Sequence, residues 1–258
     1  MIKAVFFDID GTLVSFRTHE VSEMTRNAIR QLRERGMKVF IATGRQLQVI
    51  NNLGDLEFDG YLTLNGSCCY MGRNQVIYRK VIPTETLAQL VRYQEEEERF
   101  PCIFVREKDM FINYNNARTR EVFQLLNFPE PPVRDLREIM QDEVFQLIAF
   151  FTRDQEERIM QFLPGCESTR WNPMFTDIVP AGGNKRVGME KMLEHLGIAR
   201  EETMAFGDGG NDIPMLAYAG IGVAMGNASE EVKKYADFVT RSVDEDGIVY
   251  ALQHYGIG

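Results

Sequence analysis

Two rhythms of apolar and polar positions alternate along this chain. At both ends, runs of about four consecutive apolar residues alternate with longer stretches in which apolar residues return every three or four positions. Ala4 to Phe7 is the first such run and predicts a buried strand. Ser22 then stands where an N-cap belongs, before a helix whose Met24, Ala28, Ile29 and Leu32 share a face and which Gly36 ends. Val39 to Ala42 predicts a second buried strand, running into Thr43-Gly44-Arg45 and a helical stretch to about Leu53. Tyr61 to Leu64 predicts a third strand, entering Asn65-Gly66, and short strands around Cys69 and at Val76 to Tyr78 flank the turn residues Gly72-Arg73-Asn74. The C-terminal quarter repeats the grammar: a helix from Arg186 to Leu196, a strand at Met204 to Phe206, a helix from Ile213, and a short strand from Ile221 to Ala224. Near-continuous apolar strands separated by amphipathic helices predict an α/β fold, a doubly wound parallel sheet of Rossmann-like type, formed by residues 1–82 and 184–258.

The middle has a different pattern. From Pro83 the sequence predicts a long Glu-rich helix through Glu95 to Glu98, a hairpin across Glu107-Lys108-Asp109, a helix, the apolar run Val144 to Phe151, another helix and two strands. This is the order of an inserted α+β domain over residues 83–183, set off by breakers at Pro83 and at Ala181-Gly182-Gly183. The acidic run reads as a solvated helix face.

Composition narrows the function. The 258 residues are 44% hydrophobic, enough for proper cores, and the net charge of -9 argues against general attraction to nucleic acid or an anionic membrane. The start of the chain lacks the layout of a signal peptide, and no apolar run approaches the roughly 20 residues of a membrane span. A cytoplasmic protein acting on a small molecule is expected, and the sequence leaves its oligomeric state open, with a monomer possible. Four cysteines without a C-x-x-C pair and three scattered histidines exclude a disulfide framework and a zinc site as expectations. Any metal must therefore take oxygen ligands.

Candidate chemistry concentrates where predicted strands end. Asp8 and Asp10 follow the first strand with only Ile9 between them, and two like charges pointing the same way from a strand are costly unless a cation neutralises them. Asp208, Asn211 and Asp212 lie in a glycine-rich loop after another strand. That loop lacks the acid spacing of an EF-hand and the third glycine of a dinucleotide fingerprint. Gly183-Asn184-Lys185 lacks the spacing of a Walker A loop. Asp8 and Asp208 at neighbouring strand ends would suit a hard octahedral cation such as Mg²⁺. Thr43, the Gly44 N–H, Lys185 and Asn211 fall where they could hold a phosphate beside it. Each has a plainer reading: Thr43 as a helix N-cap, Lys185 as a solvated lysine.

In this order the residues resemble the haloacid dehalogenase superfamily of phosphatases. Asp8-Ile9-Asp10-Gly11-Thr12 is similar to its first motif, Thr43 to its second, Lys185 to its third and Gly207-Asp208-Gly209-Gly210-Asn211-Asp212 to its fourth. The size and place of the insertion resemble the C2-type cap of the Cof-like sugar phosphatases. The resemblance implies that Asp8 is a nucleophile forming an aspartyl-phosphate and a metal ligand. It implies that Asp10 is the general acid and binds metal through its backbone carbonyl. Asp208 completes the ligands, Asp212 supports the loop, and Thr43, Gly44, Lys185, Asn211 and the Ile9 backbone hold the phosphoryl oxygens. It further implies substrate selection by the cap, with Trp171 and Asp177 as candidates, joined from the core by Arg45, Asn65 and Gly66. Trp171, Met174 and Phe175 read equally as cap core. Arg186 stands where many relatives have glycine. A phosphosugar mutase of the same superfamily and a catalytically silent phosphosugar-binding protein are the alternatives. Retention of both Asp8 and Asp10 speaks against the silent binder, since extra negative charge weakens phosphate binding.

Overall fold

The computed structural model describes residues 1–125, 128–141 and 143–257. In chain order the elements are β1 (Ala4–Phe7), α1 (Glu23–Glu34), β2 (Lys38–Ala42), β3 (Gly60–Thr63), β4 (Cys68–Met71) and β5 (Gln75–Arg79), then α2 (Thr84–Glu96), β6 (Cys102–Val105), β7 (Met110–Ile112), α3 (Ala117–Leu125), β8 (Gln146–Ala149), α4 (Arg153–Met160), β9 (Cys166–Asn172) and β10 (Phe175–Pro180). They continue as α5 (Lys185–Leu196), β11 (Thr203–Gly207), α6 (Ile213–Tyr218), β12 (Ile221–Ala224), α7 (Glu230–Lys233), β13 (Phe238–Val239) and α8 (Gly247–His254). The chain divides into two compact units, Met1–Arg79 with Asn184–Gly258, and Lys80–Gly183.

The first unit is built on an eight-stranded sheet of order β13-β12-β11-β1-β2-β3-β4-β5. The strands from β13 to β3 pair in parallel, and β4 and β5 extend the sheet antiparallel. Helices cover both faces, which is why the inner strands have no polar alternation. On one face Phe6, Phe40, Ala42 and Leu62 pack with Met189, Met192 and Leu193 of α5 and with Met215 and Leu216 of α6. Phe6 stacks on Phe40 at 4.7 Å and Phe7 on Phe206 at 5.1 Å, so both sides of β1 carry aromatic pairs to its neighbours. Burying one such side chain contributes about 1.5–3 kcal/mol.

This strand order positions the site. The first strand lies in the middle, with β2 and β3 on one side and β11, β12 and β13 on the other. Its carboxyl end is therefore the topological switch point, where loops diverge and leave a crevice. Phe7 is in register with Phe206 and Ile41, so Asp8, Asp208 and Thr43 leave the sheet at the same edge.

Two local expectations are corrected. The helical stretch predicted after Thr43-Gly44-Arg45, to about Leu53, is only a 3₁₀ turn at Leu47–Val49. The backbone that would start it is engaged elsewhere: the Arg45 N–H donates to the Thr43 hydroxyl at 3.1 Å, and the Arg45 carbonyl accepts from Leu64 at 3.1 Å. In α1 the buried stripe is Thr25, Ala28, Ile29 and Leu32, whereas Met24 is 55% exposed. The spacing i, i+3, i+4, i+7 starts at Thr25, one position after the methionine.

The second unit is a wholly antiparallel sheet of order β7-β6-β8-β10-β9. Leu87, Leu90 and Val91 of α2 and Ile159 of α4 share its core with Phe104, Phe111 and Ile178. The predicted hairpin is present, with Val105 opposite Met110. The acidic helix ends at Glu96, after which Glu98 turns inward to accept from Gln155 at 2.6 Å and to pair with Arg158. Glu95, Glu96 and Glu97 are exposed.

Candidate active site

Four loops from the carboxyl edge of the first unit's sheet build the site. The centre is the Lys185 ammonium, which opens α5 and is fully buried. Its Nζ donates to Asp8 Oδ1 and to Asp212 Oδ1, each at 2.6 Å. This excludes the reading of Lys185 as a solvated residue. The helix start comes close because Asn184 caps α5 by accepting from the Val187 N–H, and because Gly66, at φ 86°, lies against the Asn184 carbonyl, where any Cβ would come within 2.4 Å.

Asp212 serves two groups at once. One carboxylate oxygen faces Lys185, and the other accepts from the Asp208 and Gly209 N–H groups at 3.0 and 2.9 Å. It thereby folds the Gly207–Asp212 turn and aims Asp208 into the crevice. Asp208 Oδ1 accepts from the Thr12 hydroxyl at 3.1 Å, and its Oδ2 accepts from Asn227 Nδ2 at 3.1 Å. Carboxylate oxygens of Asp8, Asp208 and Asp212 lie within 4.8 Å of one another.

Three carboxylates beside one amine leave negative charge uncompensated, and the proton affinities follow. Burial, then Asp212, raises Asp8 well above the ordinary carboxylate range despite Lys185. Burial and Asp212 push Asp208 up to about 7. Burial lowers the pKa of Lys185, but Asp212 and Asp8 outweigh it and raise the pKa above the ordinary lysine value, so the amine stays charged. A hard divalent ion among these oxygens would relieve the repulsion, and the donor set of carboxylates with neutral supporting donors fits Mg²⁺ chemistry.

The other residues singled out in the sequence divide into two groups. Thr43 is buried, with its hydroxyl accepting from the Arg45 N–H, and Gly44 lies beside the Asn65 side chain. Asn211 Nδ2 donates to Asn65 Oδ1 at 3.0 Å, which joins the third and fourth loops. Asn65 holds a left-handed backbone at φ 56°, a conformation asparagine tolerates better than most residues. The Ile9 side chain is buried in the core, so its backbone is what this loop can present. Arg45 Nε and Nη2 donate to the two oxygens of Asp10 at 2.8 and 2.5 Å, so in this structure the guanidinium pairs with a neighbouring carboxylate. In the second unit, Asp177 is a half-buried residue of β10 opposite Ile148 and Thr169. The Trp171 side chain lies outside the described residues. Phe175 is buried and packs its ring on Phe150 at 5.8 Å, as a core residue would.

Asn227 was not singled out by sequence reasoning. Its signal was available: like Asp8, Thr43, Asn65 and Asp208, it follows a predicted strand, here after Met225-Gly226 beyond β12.

A buried lysine thus bridges two aspartates at the switch point of a parallel sheet, with a third carboxylate alongside. The haloacid dehalogenase-like hydrolase profile matches residues 5–252, and the chain belongs to that family. YkrA of Bacillus subtilis (strain 168), a protein carrying a phosphatase name, is 37% identical over 99% of this chain and 98% of its own length. The solved structure of the phosphatase BT1666 from Bacteroides thetaiotaomicron is 38% identical and superposes with a TM-score of 0.95 over 100% of this chain and 96% of that one. BT4131, described as a sugar phosphatase of subclass IIB, is 43% identical with a TM-score of 0.89 over 99% of this chain and 100% of its own. Among the described residues, no helix is long and apolar enough to cross a membrane.

Proposed function

We propose that this protein is a Mg²⁺-dependent phosphomonoester hydrolase acting on small phosphorylated metabolites in the cytoplasm, with sugar phosphates as the substrate class. The observation that carries the reading is the Lys185 ammonium shared by Asp8 and Asp212 beside Asp208. It supports the reading by setting a fixed positive charge beside the Asp8 carboxylate, the residue assigned as nucleophile. The sugar-phosphate class rests on the likeness to BT4131.

In this reading Asp8 attacks phosphorus through a carboxylate oxygen, the bond from phosphorus to the ester oxygen breaks, and an aspartyl-phosphate remains. Asp10 gives a proton to the departing alkoxide and then takes one from the water that hydrolyses the intermediate. The Arg45 guanidinium donates to both Asp10 oxygens in this structure, so it must release one of them for that oxygen to carry the proton given to the leaving group. Asp8, Asp208 and the Asp10 backbone carbonyl would hold the Mg²⁺, which supplies charge neutralisation for the phosphoryl oxygens. Thr43, Gly44, Lys185, Asn211 and the Ile9 backbone donate to the same oxygens, and such positioning is most of what phosphoryl transfer requires. Residues 83–183 are assigned the role of the cap that selects the leaving group, with Trp171 and Asp177 as its candidate residues and Asn65 and Gly66 as those of the core.

The test is phosphate release from hexose, pentose, triose and nucleotide monophosphates, with Mg²⁺ or with EDTA, for the wild type and Asp8→Asn. Release that needs Mg²⁺ and disappears in the variant supports the reading. No release from any ester, with ligand binding retained, overturns it in favour of a mutase or a binding protein.

A further inference from the structure

Asn227 is a surface residue whose side chain is nevertheless fully engaged. Its Nδ2 donates to Asp208 Oδ2 at 3.1 Å and to the Gly11 carbonyl at 2.9 Å, and its Oδ1 accepts from the Val243 N–H at 2.9 Å. One amide thus ties together the loop after β1, the loop after β11 and the turn before α8.

The consequence for Asp208 is geometric. Each of its two oxygens is held by a different donor, Oδ1 by the Thr12 hydroxyl and Oδ2 by Asn227, so the carboxylate cannot turn freely about its Cβ–Cγ bond. A carboxylate oxygen can accept more than one bond, so each keeps capacity for a cation. Ordering that group before the ion arrives removes an entropic cost from binding. The third bond reaches further. Val243 begins the turn whose Asp244 accepts from the Ser15 hydroxyl at 2.7 Å and pairs with Arg17 at 3.3 Å, and whose Asp246 accepts from the Ser22 hydroxyl at 2.5 Å. Gly11, Ser15 and Ser22 are therefore three anchors of the loop that leads from the first motif to α1.

We propose that Asn227 is a positioning residue for the cation: it fixes the Asp208 carboxylate and, through Val243, links cation binding to order in the 11–22 loop. The inference rests on the cation site of the proposed function, and its test separates the two. MgCl₂ is titrated calorimetrically into the full chain at fixed pH, and amide hydrogen exchange over residues 15–20 is followed with and without the ion. Asn227→Ala is expected to weaken Mg²⁺ binding about 10–100-fold, the usual consequence of losing a partner of a metal ligand. Its metal-free thermal midpoint stays near that of the wild type, a combination that general loosening would not give. Mg²⁺ slows exchange over residues 15–20 in the wild type and does so less in the variant. Asp244→Ala releases Ser15 without touching Asp208, so it speeds that exchange in the metal-free protein and, through the same linkage, weakens Mg²⁺ binding by less than Asn227→Ala does. Should Asn227→Ala fold poorly, Asn227→Ser gives the same readout. Wild-type affinity in both Asn227 variants overturns the inference alone. Absence of Mg²⁺ binding by the wild type overturns the cation site and the inference together.

Discussion

Each of the two units buries a polar cluster, and the two clusters differ in kind. In the inserted unit, Asn113 Oδ1 accepts from the Cys102 and Tyr114 N–H groups at 2.8 and 2.9 Å, and its Nδ2 donates to Gln94 Oε1 and the Phe100 carbonyl at 2.7 and 2.9 Å. That network is neutral and nearly saturated, with Gln94 Nε2 the one side-chain group of the network left over. In the core, carboxylates outnumber the single ammonium, and two of them carry raised proton affinities. A network that only fixes structure satisfies itself, because unpaired buried polar groups destabilise the fold. A network that binds something leaves charge waiting for its partner.

The sharpest way to break this contrast is Asp8→Asn. Turnover should fall by at least about 10³-fold, as loss of a nucleophile does, while urea unfolding shows stability kept or raised because a buried like charge is gone. Lys185→Met comes next. It strands Asp8 and Asp212 without their counter-charge, so metal-free stability in urea should fall by about 3–5 kcal/mol and kcat should fall too. Asn113→Ala should lower stability by about 1–3 kcal/mol through unsatisfied N–H groups, yet leave Mg²⁺ affinity unchanged. If Asn113→Ala altered Mg²⁺ binding, the separation of the two networks would fail.

The smallest effect is a difference in the sign of pH dependence. Burial raises the pKa of Glu156, but hydrogen bonds from Ser168 and Arg170 outweigh it and hold the group below the usual carboxylate range. A depressed folded-state pKa stabilises above the unfolded value and is lost as pH falls through the folded one, so the inserted unit weakens in acid. Asp208, raised to about 7, acts the other way. In EDTA its contribution to stability is fully present below the unfolded value near 3.8 and is lost as pH rises through about 7. Thermal midpoints across pH should therefore show an acid-side loss reduced by Glu156→Gln and a neutral-side loss, shared with Asp8, reduced by Asp208→Asn.

Much of the fold was legible because buried parallel strands need continuous apolar runs, and those runs appear at Ala4–Phe7, Val39–Ala42 and Ile221–Ala224 without competing patterns. The first and fourth motifs were legible because paired acids after a strand have few structural uses. The missing helix after Thr43-Gly44-Arg45 was not, since the bond from the Leu64 N–H to the Arg45 carbonyl, 19 residues away in sequence, overrides local propensity. The pairing of Arg45 with Asp10 was hidden for the same reason: residues 35 apart in sequence meet only through strand order. Asn227 was passed over because an asparagine after a glycine usually signals a turn.

The two ends of the inserted unit are stitched together at its base, where the Lys80 ammonium bonds the Ala181 carbonyl. Closing a loop costs little more as the loop lengthens, so the core experiences this insertion much as it would a short turn between β5 and α5. Descent with modification can then exchange or enlarge that segment while the chemistry at Asp8 stays put. A lineage can in this way remake the inserted unit and keep the core sheet as it is.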